Sequence, residues 1–221
     1  MSDKFLLKEN QSIPQQPQQN ELQFISKEHM LFATPLWQTQ IQGMDNQSIK
    51  DYCYFLRENT KGVVISNRGG WHSGEILKPI PDALQNFFTQ VTSYTNQYCA
   101  QITGMNDLVL GNFWININGK YTYNRRHDHQ NSVLSGVYYV DCEGENIGNF
   151  VVERNDTMEF FAGKYKGSPT MQVALPIKPL TNFLFILPSW THHSVEMNME
   201  NRDRISIAFN FVEPNSNSNY G

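Results

Sequence analysis

The chain of 221 residues has a formal net charge of −4, from 17 basic and 21 acidic side chains. This length suits one large β-rich domain, and the mild charge balance without a basic stripe argues against nucleic-acid binding as the main task. The sequence has no apolar run of about 18 residues, which excludes a membrane-spanning segment.

The amino-terminal segment is predicted to be a flexible tail. Residues 1–25 are rich in Gln, Asn and Pro, so they bury too little apolar surface to offset the entropy lost on ordering. They also lack the apolar stretch of a secretory signal, and order is predicted to begin at His29–Trp37. The cysteines, Cys53, Cys99 and Cys142, are odd in number and widely spaced, which indicates reduced thiols and a cytoplasmic protein.

Two helices are predicted next. Apolar side chains recur at helical spacing in Asn46–Asn59, and a turn follows at Ser66–Trp71. Pro81 opens a longer helix, for which Gly104 is a plausible end. The apolar positions of this second helix are Leu84, Phe87, Phe88, Val91, Tyr98 and Ile102.

The remainder of the chain is predicted to form short strands. Runs rich in β-branched and aromatic residues are separated by Gly, Pro and Asn clusters. They are Val109–Ile117, Val133–Val140, Asn149–Glu153, Met171–Leu175, Asn182–Leu187 and Arg204–Val212, with shorter candidates at Met158–Phe161 and His193–Glu196. About eight strands predict a mainly β, cupin-like jelly roll, also called a double-stranded β-helix, with the helices against the outer face of one sheet. We expect a single domain over 26–214, with a helical part at 26–105, a β core at 106–214 and a flexible end at 215–221.

Four histidines form two tight pairs in the β-rich half. His127 and His129 are two residues apart, so on a strand both imidazoles share a face and can converge on one ion. His192 and His193 are adjacent, so only one can face inward; we favour His193, which shares a face with the apolar Val195, and keep His192 as the alternative. A His-x-His pair alone is common on exposed strands. In a jelly roll, however, two ligands from one strand and one from a distant strand hold one side of the ion and leave the other side open.

An arginine and a serine alternate on the last predicted strand. Arg204, Ser206 and Ala208 fall on one face, and the apolar residues between them fall on the other. Pointing into a barrel, Arg204 and Ser206 would form a carboxylate clamp, because a guanidinium matches a carboxylate bidentately. The alternative is a surface ion pair of Arg204 with Asp203 or Glu213.

Several stretches between about residues 30 and 212 occur in an order that matches a known family. They are Leu31–Trp37, Ser66–Ser73, Trp114–Asn118, His127–His129 with Leu134–Val140, Leu187–Val195, and Arg204–Asn210. As an ordered set, they make the chain resemble the 2-oxoglutarate- and iron(II)-dependent oxygenases of marine bacteria and their phages. The resemblance implies that O₂ oxidises 2-oxoglutarate to succinate and carbon dioxide while a second substrate is hydroxylated.

The resemblance also implies roles for particular residues. His127, His129 and His193 match the positions that hold iron(II), and Arg204 matches the residue that binds the distal carboxylate of 2-oxoglutarate, with Ser206 assisting. Tyr138 or Tyr139, together with Asn116, is implied to lie next to the cosubstrate, and Trp114 is on the same strand as Asn116. The apolar side chains expected to line the site are Leu134, Val137, Phe183, Phe185 and Phe209.

The histidine motif differs from that of the wider superfamily, which has His-x-Asp where this chain has His-x-His. Three neutral imidazoles leave the ion its full double charge, which dianionic 2-oxoglutarate could neutralise, and they also suit zinc, nickel or copper. Two other functions stay open: a cupin-like three-histidine metalloprotein that uses no 2-oxoglutarate, and a non-enzymatic jelly-roll module of a phage. The sequence does not identify the primary substrate. A homodimer and action inside the host cell of a phage are further expectations.

Overall fold

The computed structural model describes Lys27 and residues 33–76, 79–154 and 172–214. Outside these residues lie the predicted tail at 1–25, the end at 215–221, residues 29–32 of the His29–Trp37 segment and the predicted strand Met158–Phe161. In the part of the chain that is described, none of the helices has the length and apolarity needed to cross a membrane.

Both predicted helices are present. Helix α1 (Asn46–Asn59) has the predicted bounds and begins after Asp45, whose carboxylate accepts a hydrogen bond from the Ser48 amide. Helix α2 (Asp82–Tyr94) begins after Pro81, also as predicted.

The second helix continues beyond α2 with altered geometry, which explains two errors in the predicted core. Thr95–Cys99 form a π-helical turn, which contains more residues per turn than an α-helix and so rotates the following residues around the helix axis. Tyr98 and Ile102, predicted to face inward, are therefore 56% and 57% exposed. Cys99 and Ala100 are fully buried in their place.

The described residues form two antiparallel sheets. The strands are β1 (Trp37–Gln40), β2 (Asn67–Arg68), β3 (Trp71–His72), β4 (Val109–Asn118), β5 (Tyr123–His127), β6 (Leu134–Asp141), β7 (Phe150–Glu153), β8 (Ala174–Ile177), β9 (Phe183–Pro188), β10 (His193–Val195) and β11 (Arg204–Val212). One sheet has the order β1-β9-β6-β11-β4-β3 and the other the order β2-β5-β10-β7-β8. The prediction of a mainly β protein with two supporting helices is confirmed.

Most predicted strands are found within a few residues of their expected bounds, and β11 matches fully. Strand β8 begins at Ala174, three residues after the predicted start at Met171. The predicted turn at Ser66–Trp71 takes the chain from one sheet to the other, since β2 pairs with β5 and β3 pairs with β4. Strand β5 was not among the strands predicted from apolar patterns, because its sequence YNRRH has no apolar alternation, although the His127–His129 pair was expected to lie on a strand.

The core has two parts. The larger one lies between the helices and the six-stranded sheet, as predicted, and includes Ile49, Leu84, Phe87, Ile115, Tyr138 and Phe209. The smaller one lies between the two sheets and includes Tyr139, Ile147, Phe150, Phe185 and Leu187. The helices thus cover one face of the six-stranded sheet and leave the opposite face to meet the second sheet.

Gly136 on β6 gives a test of the larger core. A Cβ atom at this position would lie 2.4 Å from two ring atoms of Phe209, whose side chain is fully buried. We expect Gly136→Ala to lower the free energy of unfolding by about 1–3 kcal/mol, as overpacking does in closely packed cores. Urea denaturation measures this change. Gly119→Ala is the control, because its Cβ would meet only the carboxylate of Asp203, at 3.2 Å. Equal stability of the two variants would contradict the prediction.

Candidate metal centre

Three imidazoles meet between the two sheets. His127, His129 and His193 each offer a ring nitrogen, and these three atoms lie within 4.8 Å of one another. The ring centroids are 5.1 Å apart for His127 and His129, 4.4 Å for His127 and His193, and 5.2 Å for His129 and His193. His193 is distant in sequence from His127 and His129, and the three side chains converge as predicted.

The local backbone explains how these rings converge. His193 on β10 lies opposite His127 on β5, whereas Val195 lies opposite Asn124, so β5 contains a bulge of one extra residue. The bulge lets both Asn124 and His127 face the space between the sheets although they are three residues apart. His129 lies beyond the end of β5, so the expectation that both histidines of the pair are on one strand is wrong. Its backbone amide donates to the carbonyl of Ser189 at 2.9 Å.

The hydrogen bonds of two rings fix which nitrogen is free. Nδ1 of His127 lies 2.7 Å from the carbonyl oxygen of Arg125, and Nδ1 of His193 lies 2.9 Å from that of Thr191. A carbonyl oxygen only accepts, so each Nδ1 carries the proton and each Nε2 keeps its lone pair for a metal.

Burial keeps the three rings neutral. It lowers the pKa of His193 to about 3, lowers the pKa of His129 well below its ordinary value, and lowers the pKa of His127 as well. The neighbouring histidines contribute to these shifts, because each charged ring would disfavour a charge on the others. Neutral imidazole is the form that binds a metal, so the cluster fits a divalent ion without first losing protons.

The alternative third ligand, His192, is not part of the cluster. Its Nε2 lies 3.5 Å from a carboxylate oxygen of Asp128. Asp128, which lies between His127 and His129 in the sequence, thus faces His192 and not the three converging rings.

Arg204 lies at the far side of the same space. Its side chain is only 1% exposed, and its Nη1 donates to the carbonyl oxygens of Ile147, Gly148 and Glu196 at 2.5, 3.2 and 3.2 Å. Its Nη2 is buried without a hydrogen-bond partner. Burial lowers the pKa of this guanidinium, a cost that a bound carboxylate would offset. The alternative of a surface ion pair does not describe this side chain.

An inner cavity joins Arg204 to the three histidines. Its lining includes the predicted residues Ser206, Asn116 and Tyr139, together with Trp114. The Oδ1 atom of Asn116 is buried without a partner. Tyr138 is not in the cavity: it packs on the helix side of the sheet, where its hydroxyl donates to side-chain oxygens of Asn46 and Asn182.

Only some of the five apolar side chains that were predicted to line the site do so. Val137 lines the inner cavity, whereas Leu134 and Phe209 belong to the core beneath the helices. Phe183 and Phe185 pack in the smaller core between the sheets. Leu134 and Phe209 alternate with cavity-lining neighbours on their strands and so point to the opposite face.

An open cleft of about 570 Å³ adjoins the histidines. It includes His72 and Asn112, which the sequence analysis did not assign to the site. The ring of His72 is 4% exposed and stacks on Trp114, with centroids 5.8 Å apart and planes 8° apart. Burial lowers the pKa of His72 to about 4. The signal available was its place in the Ser66–Ser73 stretch, which was used for the family resemblance and, over Ser66–Trp71, as a turn, with no role given to His72.

Three neutral imidazoles, an open cleft on one side and a buried guanidinium on the other define a candidate mononuclear non-haem metal centre. A closed structural site would instead have its ligand positions filled by protein. This arrangement suits a metal that binds small molecules.

The comparisons with known proteins agree with this class. Residues 112–210 match the family model described as "Putative 2OG-Fe(II) oxygenase", and this range contains all three histidines and Arg204. Among curated proteins, none matches the chain.

Similar solved structures show the fold. A Pseudomonas putida prolyl-4-hydroxylase is 16% identical with a TM-score of 0.59, and the alignment covers 81% of this chain and 92% of that one. A Trichoplax adhaerens prolyl hydroxylase, in complex with a peptide fragment of hypoxia inducible factor, is 12% identical with a TM-score of 0.61, covering 80% and 83%. HygX from Streptomyces hygroscopicus, with nickel and 2-oxoglutarate bound, is 12% identical with a TM-score of 0.51, covering 81% and 83%.

The family match and the three-histidine cluster inside it indicate a 2-oxoglutarate- and iron(II)-dependent oxygenase. The enzyme class, the metal and the cosubstrate predicted from the sequence are confirmed at this level.

Proposed function

We propose that this oxygenase is a hydroxylase in which His127, His129 and His193 hold iron(II) and Arg204 binds the distal carboxylate of 2-oxoglutarate. The observation that carries the proposal is the buried, unpartnered Nη2 of Arg204 on the same cavity as the three imidazoles. A buried donor without a partner is costly, and a carboxylate is the group that a guanidinium pairs with best. We further propose that the two sheets form the predicted double-stranded β-helix.

The other cavity residues would orient the cosubstrate. Ser206 shares the inner face of β11 with Arg204, and Tyr139 reaches the same space from β6. Asn116 offers its amide next to Ser206, since the two residues are paired across β4 and β11. When bound, iron(II) supplies the activation of O₂ and the oxidative chemistry, while the protein supplies ligands, orientation and exclusion of water.

The two alternative functions explain less of the site. A three-histidine metalloprotein that uses no 2-oxoglutarate would leave the Nη2 of Arg204 without a partner. A non-enzymatic module would have no use for three rings kept neutral beside an open cleft. An origin in marine bacteria or phages, a cytoplasmic location, the absence of nucleic-acid binding and a homodimer stay predictions.

The proposal is tested by anaerobic titration of the metal-free protein with iron(II) and 2-oxoglutarate. We expect a weak visible charge-transfer band that is lost in His127→Ala, because a ligand is removed, and weaker in Arg204→Ala at equal 2-oxoglutarate concentration. Arg57→Gln is the control, since Arg57 pairs with Asp203 away from the cavity. A native protein that gives no band would contradict the proposed roles.

A further inference from the structure

The floor of the open cleft is formed by one face of β4 and by the neighbouring β3. Asn112 and Trp114 are two residues apart on β4 and both contribute to the cleft. His72 on β3 stacks on Trp114, which in turn lies 5.4 Å from the ring of His129. An occupant of the cleft would thus meet His72, Trp114 and Asn112 beside the metal centre.

The hydrogen bond at Nδ1 makes His72 a donor toward the cleft. The backbone N–H of Gly74 donates to Nδ1 at 2.9 Å, so Nδ1 cannot carry a proton and Nε2 must. Nε2 makes no hydrogen bond to any of the residues the structure describes. The ring is also fixed in orientation by its contact with Trp114.

A second chain of hydrogen bonds makes Asn112 a donor as well. The Ser135 hydroxyl donates to Oδ1 of Asn210 at 2.7 Å, and Nδ2 of Asn210 donates to Oδ1 of Asn112 at 2.9 Å. These two hydrogen bonds orient the Asn112 amide so that its Nδ2 amino group is the last donor of the series. That amino group makes no hydrogen bond to the described residues. Both fixed polar groups of the floor therefore present N–H groups.

Charges at the rim of the cleft favour an anion. The exposed guanidinium of Arg125 makes no hydrogen bond or ion pair with the described residues. The guanidinium of Arg68 donates through Nη1 to two carbonyl oxygens and has no carboxylate partner among those residues. Glu75 opposes them with one exposed carboxylate. Asp128 adds a second carboxylate to the lining, so the three arginines Arg68, Arg125 and Arg126 outnumber the two acidic side chains there.

From these observations we infer that the primary substrate carries a carboxylate, which accepts hydrogen bonds from Nε2 of His72 and Nδ2 of Asn112. The inference rests on the proposed function and adds the substrate class to it. A substrate without this acceptor would leave two oriented donors unpaired, and sites built on hydrogen bonds reject such analogues strongly. We expect discrimination of at least about tenfold in kcat/KM.

The probe is a panel of N-acetyl-L-amino acids, each paired with the N-acetylalkylamine in which hydrogen replaces the carboxylate. Succinate formed from 2-oxoglutarate, above the rate without a second substrate, reports productive binding. We expect members of the acid set to stimulate succinate formation and their partners to do so at least about tenfold less. Equal stimulation by both sets, or by neither, would overturn the inference. A wild-type protein that forms no succinate at all would instead overturn the proposed function.

Two substitutions of His72 separate its donor role from its structural role. In His72→Asn, the amide oxygen can still accept from the Gly74 amide, but the donor toward the cleft is lost; in His72→Gln, the amide nitrogen can reach the donor position. We expect KM for the stimulating acid to rise at least about tenfold in His72→Asn and less in His72→Gln, with similar thermal midpoints. The reverse order would assign His72 a structural role and overturn the inference.

Asn112→Asp gives an independent check. The variant keeps the acceptor for Asn210 and replaces the free amino group with a carboxylate oxygen. We expect the preference for acids over their partners to be lost, because the new charge repels a carboxylate. An undiminished preference would count against the assignment of Asn112.

Discussion

His193→Ala is expected to lose its bound metal, whereas His192→Ala retains it. The two residues are neighbours in sequence, but only His193 offers a ring nitrogen to the cluster, while His192 lies beside Asp128. Removing a residue that only hydrogen-bonds to a metal ligand lowers metal affinity by about 10- to 100-fold. Removing a ligand itself should therefore lower the affinity by more than about 100-fold. Metal per chain after equilibration with iron(II) under anaerobic conditions, followed by gel filtration, measures the difference.

The adjacent pair is a matched control for folding. His193 is buried, and replacing it leaves a small void next to Phe150, whose ring centroid lies 5.5 Å away. Circular dichroism and thermal midpoints should therefore accompany the metal analysis. A folded His193→Ala protein with full metal content would show that the three-histidine assignment is wrong, and loss of metal in His192→Ala would restore His192 as the third ligand.

The charge of this site follows from its ligands. Three neutral imidazoles contribute none, and the carboxylate of Asp128 lies next to His192. A dianion bound between the metal and Arg204 would therefore balance the charge of a divalent ion and leave the guanidinium paired. This is the physical reason why the His-x-His sequence does not weaken the proposed binding of 2-oxoglutarate.

Periodic patterns were enough to predict several elements. Helix α1 was correct to the residue because its apolar positions follow a helical period; the cap at Asp45, which the sequence analysis did not use, agrees with its start. Strand β11 was correct because strict alternation separates Arg204, Ser206 and Ala208 from the apolar core residues. Convergence of distant histidines followed once these strands were assigned to a barrel-like fold.

The remaining features depend on contacts that a local pattern does not contain. Strand β5 is polar and is recognised only by its partners, and its bulge is visible only from the register with β10. Tyr138 and Tyr139 are adjacent, so sequence alone does not say which one faces the cavity. The answer depends on the helices, which cover the Tyr138 side of the sheet.

Arg204→Lys is expected to raise KM for 2-oxoglutarate strongly while leaving kcat at saturating cosubstrate much less affected. Lysine keeps the positive charge and can replace one of the bonds that Nη1 makes to the carbonyls, but it has no second arm for the carboxylate. Truncating one partner of a buried, hydrogen-bonded charge pair costs about 2–5 kcal/mol, which corresponds to a rise in KM of at least about 30-fold. The distal carboxylate lies away from the end of 2-oxoglutarate that reacts, so most of the loss should appear in KM.

Succinate formation as a function of 2-oxoglutarate concentration separates the two constants, and thermal unfolding with and without 2-oxoglutarate checks binding independently of turnover. Arg202→Ala is the matched control, because Arg202 lies two residues away and pairs with Asp141 and Glu143 at the surface. Its KM for 2-oxoglutarate should equal that of the wild type. If Arg204→Lys also kept the wild-type KM, the partner of the buried Nη2 could not be the cosubstrate. The cavity between Arg204 and the three histidines would then have to bind a different anion.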